Sequence, residues 1–78
     1  MIIVDKDENI FRSKDIAEFN IGVKLGANSE DDVFILGVRL KSQQGFKLGE
    51  YNSFFEARYE YEKIQAAIEN GEKVYVIE

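Results

Sequence analysis

Seventy-eight residues with a net charge of -5, 45% of them hydrophobic and 13% aromatic, describe one small domain whose stability rests on dense apolar packing. The chain has neither Cys nor His, which excludes disulfide staples, thiolate zinc sites, cysteine nucleophiles and the commonest general base near neutral pH. Its acidic surplus repels polyphosphate backbones at long range, and its longest uncharged apolar run, Val33 to Val38, is far below the roughly 20 residues that span a bilayer.

The opening segment Met1 to Val4 is apolar at every position and reads as a strand shielded on both faces. The following DKDEN turns acidic and lacks a basic segment, so no secretory signal is expected and the expected location is cytoplasmic. Asp5, Asp7 and Asn9 stand at the first, third and fifth positions of an EF-hand-like calcium loop. The sixth position, which needs glycine, is Ile10, and the twelfth, which needs glutamate, is Ile16. A solvated turn into a short strand, Ile10 to Arg12, is the expected structure.

From Ala17 to Leu25, apolar Ala17, Phe19, Ile21, Val23 and Leu25 alternate with Glu18, Asn20, Gly22 and Lys24, the pattern of a strand with one buried face. The loop GANSEDD follows, and its adjacent acids Glu30, Asp31 and Asp32 lack the spacing of a cation site. Val33 to Lys41 keeps period two through Phe34, Leu36, Val38 and Leu40, while Val33 and Ile35 add apolar side chains to the other face. With both alternating sets on one core, the expected antiparallel register pairs Leu25 with Phe34, Gly22 with Gly37, Asn20 with Arg39 and Glu18 with Lys41. The last is a charge pair of about 0.2 to 1 kcal/mol. KSQQGF then reads as a hairpin loop with Gly45 in a left-handed position, leading into Phe46 to Gly49 with Phe46 and Leu48 inward. Arg39, Lys41 and Lys47 project from the outer sheet face as a small basic patch that could touch an anion, with Glu18 and Glu50 near enough to neutralise it.

Ser53 and Glu56 have the spacing of a capping box, and Gly71 supplies a left-handed stop. At about 100° per residue, Phe54, Ala57, Tyr61, Ile64 and Ile68 share an arc of about 80°, the expected core face. Phe55, Tyr59 and Ala66 share a second arc of about 40°, centred about 160° away, and form the candidate contact stripe. The chain closes on Val74 to Ile77, an apolar strand placed to pair with the first.

The string LGEYNSFFEA, with Ile64, Ile68, Asn70 and Gly71 after it, resembles the tail of small uncharacterised proteins of bacteria and their phages. In those proteins a strand ending in Leu-Gly and a tyrosine lead into a Ser-capped helix and a final short strand, and VDKDEN is similar to their start. The resemblance implies a small cytoplasmic accessory or phage-related role and brings no site residues with it.

These elements give an expected α+β fold: an antiparallel sheet of about five or six strands, open or curled into a barrel-like form, with one C-terminal helix and a final short strand. No proline, repeat or low-complexity stretch divides residues 1–78, so a single domain is expected. The acids fall in loops or on the polar helix face rather than in a cleft that would push two pKa values apart. The expected function is therefore a non-catalytic interaction or structural module, without cofactor or metal. A single helix covers one sheet face, which leaves Phe55, Tyr59 and Ala66 on the helix, and Val33 and Ile35 with Ile3 and Tyr75 on the sheet, as apolar surface for a homodimer or another protein. The alternative is a small ligand- or nucleic-acid-binding regulator using Arg39, Lys41 and Lys47, with nucleic acid disfavoured by the net charge of -5.

Overall fold

Hydrophobic alternation and the turn signals between the runs set the order of elements. The computed structural model describes Met1–Glu78. Strands β1 (Ile2–Val4), β2 (Ile10–Arg12), β3 (Ile16–Lys24), β4 (Val33–Leu40) and β5 (Gly45–Tyr51) are followed by helix α1 (Phe54–Glu69) and strand β6 (Val74–Val76). The class is α+β, but the strands form two three-stranded sheets rather than one: β2-β1-β6, called sheet A, and β3-β4-β5, called sheet B. A 3-10 turn at Ser13–Asp15 redirects the chain between β2 and β3, so these two strands do not pair. The terminal strands do pair, Ile2 with Val74 and Val4 with Val76, and they run parallel because α1 carries the chain back before β6 begins.

In sheet B the expected faces hold while the register differs. Val23 lies opposite Phe34, Gly22 opposite Ile35, Asn20 opposite Gly37 and Glu18 opposite Arg39. The slide of two residues preserves every face, because side chains alternate with period two, and it replaces Lys41 by Arg39 as the partner of Glu18. The cause lies in the loops. Residues from Leu25 to Asp32 close their own turn, with Gly26 N–H donating to Asp32 Oδ1 at 2.9 Å and Asp31 packed where a Cβ on Gly26 would stand. At the other end Lys41 belongs to the turn after β4, where Gln43 takes the left-handed conformation expected of Gly45, at φ 78°. Ladder irregularities at Ala17 and at Leu48 add local twist to the sheet.

Ser53 Oγ accepts from Glu56 N–H at 3.1 Å, and the Glu56 carboxylate accepts from Asn52 N–H at 3.1 Å, so the cap forms one residue wider than the standard box. Gly71 ends the helix at φ 71°. The buried stripe of α1 is Ala57, Glu60, Ile64 and Ala67, rotated about 60° from the expected face at 100° per residue. Phe54 is displaced from the core by that rotation and is 43% exposed. Ile64 belongs to one buried cluster with Ile3, Phe11, Leu36, Val38, Leu48 and Ile77, so one core serves both sheets and the helix.

The DKDEN turn has an internal anchor. Asp5 is buried, and its carboxylate accepts from Asp7 N–H and Asn9 N–H at 2.9 Å each and from Asn9 Nδ2 at 3.1 Å. Its oxygens hold the turn together, with Glu8 at φ 64°.

Candidate functional site

Apart from Phe46, which is 43% exposed rather than inward as expected, the large apolar side chains left on the surface fall into three places. The first is the expected helix stripe: Phe55, Tyr59 and Ala66 are all exposed, Phe55 at 76%. Phe55 meets the edge of Phe54 at 5.9 Å between ring centres, and Lys63 Nζ lies 5.0 Å over the Tyr59 ring.

The second is the outer face of sheet A. Ile10, Val4 and Val76 form one cross-strand row, and Arg12, Ile2 and Val74 the next. Ile10, Val74 and Val76 are each more than half exposed. The expectation of strands shielded on both faces is therefore corrected: the helix and sheet B cover only the inner face. Ile3 and Tyr75 are corrected with it, since Ile3 is in the core and Tyr75 packs against it. A run such as MIIV, apolar at every position, carries no periodicity from which to choose the outward members.

The third lies where β3 and α1 meet. The helix does not reach over the edge of sheet B, and a cavity of about 370 Å³ opens between Phe19, Asn20 and Ile21 on the strand and Phe54 and Tyr61 on the helix. Beyond it, Val23 is half exposed and Leu25 is 76% exposed, because β5 leaves the sheet at Tyr51, opposite Phe34, and nothing covers the end of β3. Sequence pattern placed all of β3's odd-numbered residues in the core and so missed this groove.

Val33 and Ile35 are half-buried on the outer face of sheet B. Ile35 lines a shallow depression of about 380 Å³ with Asn20, Gly37, Arg39, Gln43 and Lys47. Arg39 donates to Glu18 Oε1 at 3.0 Å and to Gln43 Oε1 at 2.8 Å, and Lys47 donates to Glu50. That mutual hydrogen bond raises the Lys47 pKa and lowers that of Glu50. Lys41 lies outside the depression, so the three expected cations do not converge, and two of them are matched by acids. A different cation group, Arg12, Lys14 and Lys73, lines a cavity of about 420 Å³ beside the helix C-terminus together with Glu72. None of those three cations makes an ion pair.

No family model, curated protein or solved structure matches the chain. No helix is long and apolar enough to cross a membrane.

The most unusual polar group is internal. Glu60 is 7% exposed on the buried stripe of α1, and its carboxylate accepts from Tyr51 on β5 at 3.3 Å and from Tyr75 on β6. Lys63 Nζ stands 3.5 Å away. Burial, then the charge and hydrogen bond of Glu60, push the Tyr51 phenol up to about 12. Burial and the same carboxylate raise Tyr75 as well. The unfolded chain gives up these protons near pH 10, the folded chain later. Stability is therefore complete below about pH 10 and is lost as pH rises toward 12. Absorbance at 295 nm should show two of the four tyrosines titrating late, with the melting temperature falling over the same interval. Simultaneous ionisation of all four near pH 10 in the folded protein would contradict the arrangement.

Proposed function

We propose that the chain is a non-catalytic interaction or structural module that self-associates as a two-fold dimer. The observation that carries this reading is the uncovered outer face of sheet A together with the groove beside β3 and the stripe on α1, three apolar surfaces on a chain that buries only 13 residues. Contiguous apolar surface of a few hundred Å² on a small protein usually marks an interface, and closed two-fold dimers are its commonest resolution. The two buried carboxylates, Asp5 and Glu60, are both bonded inside the fold rather than set in a cleft, which supports a non-catalytic role. The resemblance to small bacterial and phage proteins supports a cytoplasmic accessory role.

Light scattering at a concentration on the order of 50 micromolar is expected to give twice the monomer mass of 9.0 kDa. A monomer at that concentration and tenfold above it overturns the proposal.

A second reading, a small anion-binding regulator, is favoured by the Arg12, Lys14 and Lys73 cluster more than by Arg39, Lys41 and Lys47. Retention on heparin at low salt that vanishes as salt rises, and that is lost in Lys14→Glu, is the result that would reverse the ranking.

A further inference from the structure

We infer that the partner surface is the free edge of β3, which pairs antiparallel with β3 of a second copy about a two-fold axis at Ile21. The inference rests on the self-association proposed above and assigns it one surface and one register.

Four sheet edges are open to the possibility, and three are unsuited. Strands β2 and β6 are three residues long each. The edge of β5 carries the ladder irregularity at Leu48 and faces the Asp5–Asp7 turn across a cavity of about 200 Å³. In contrast, β3 is nine residues long, and no backbone hydrogen bond outside the β3–β4 ladder involves Ala17 to Lys24. A strand edge of this kind offers every second N–H and C=O to an added strand. Beside it lies the Phe19, Ile21, Phe54 and Tyr61 groove, on the side where an added strand would direct its own apolar residues.

The sequence of the edge names the occupant. Its regular part, between the irregularity at Ala17 and the strand end, runs Glu18, Phe19, Asn20, Ile21, Gly22, Val23, Lys24. An acid stands at one end, a base at the other, both on the outer face, with apolar residues at the odd positions of the inner face. About an axis at Ile21, Glu18 of each copy lies opposite Lys24 of the other, Phe19 lies opposite Val23, and Ile21 meets its own equivalent. Moving the axis one residue either way sets Glu18 against a glycine. Moving it three residues toward the N-terminus sets Glu18 against its own copy, which is repulsive. The central register is thus the one that gains two cross-strand ion pairs while placing apolar residues together on the inner face. The product is a continuous six-stranded sheet, three strands from each copy.

The absence of cysteine makes the register directly measurable. In Ile21→Cys the two thiols would face each other with Cα atoms about 4.5 to 5.5 Å apart, within the span of a disulfide. In Val23→Cys they would be about 14 Å apart. Expected results are an oxidised covalent dimer for Ile21→Cys alone, and a dimer dissociation constant raised about tenfold by Lys24→Glu. Glu18→Lys combined with Lys24→Glu should recover part of that loss, the remainder reflecting the Arg39 partner that Glu18→Lys removes within each copy. Glu18 and Lys24 are exposed, so these charge variants test the register even if cysteine at position 21 impairs folding. A dimer that is indifferent to both charge variants and dissociates instead on Val76→Lys or Tyr59→Glu overturns this inference and leaves self-association standing, through sheet A or the helix stripe. A wild-type monomer overturns both, and would leave the edge to a strand of another protein.

Discussion

Replacing Ile64 with alanine should lower the unfolding free energy by about 2 to 5 kcal/mol. Ile64 is fully buried at the point where α1 meets both sheets, touching a cluster that draws on β1, β2, β4, β5 and the segment after β6. Removing its side chain beyond Cβ loses transfer free energy and leaves a cavity that strands held in two separate ladders close only in part. A domain of this length has about 4 to 12 kcal/mol in total, so the single change takes a large share of it. In urea the midpoint should fall with little change in slope, and the melting temperature should drop by at least about 8 °C. Ile64→Val, which removes one methyl group, should cost only about 0.5 to 1.5 kcal/mol. If Ile64→Ala costs under 1 kcal/mol, the helix does not pack on the two sheets as described.

The contrast between Ile64 and its neighbours shows what could be read from the sequence and what could not. Ser53, Glu56 and Gly71 act through the local backbone, and they fix the ends of α1 at the places their spacing indicates. The odd residues of β3 and the even residues of β4 share a face as alternation requires, but their register depends on how the two loops close, which periodicity does not encode. The phase of α1 is not legible, because the arc of apolar residues from Phe54 to Ile68 excludes Glu60, which the structure buries. Apolar periodicity alone points the face toward Phe54 and Ile68, whereas two tyrosine hydroxyls from distant strands make the burial of Glu60 tolerable. Tyr51 and Tyr75 are nine and fifteen residues from Glu60, and no local pattern links them. The stripe of Phe55, Tyr59 and Ala66 was legible because it opposes any choice of core face within that error. The outer face of sheet A and the β3 groove were not, since both depend on where the helix stops covering strands.

Glu60 itself carries the second large effect. Glu60→Ala should cost about 2 to 3 kcal/mol, because hydrogen bonds to a charged group contribute about 1.5 to 3 kcal/mol and the deletion leaves two half-buried hydroxyls without an acceptor. The loss is more than local: Tyr51 belongs to sheet B and Tyr75 to sheet A, so this carboxylate ties the helix to both. Glu60→Gln keeps the shape and one acceptor oxygen and should cost about 1 kcal/mol. It should also move the late-titrating tyrosines back toward pH 10, since the nearby negative charge is gone while burial remains. A double-mutant cycle separates the coupling from the packing. Tyr75→Phe should lose much of its cost in the Glu60→Ala background, with a coupling of about 1 kcal/mol or more. Strict additivity of the two substitutions, measured by urea unfolding at pH 7, would show that the carboxylate and the phenol do not act as a unit and that burial of the ring alone holds β6 in place.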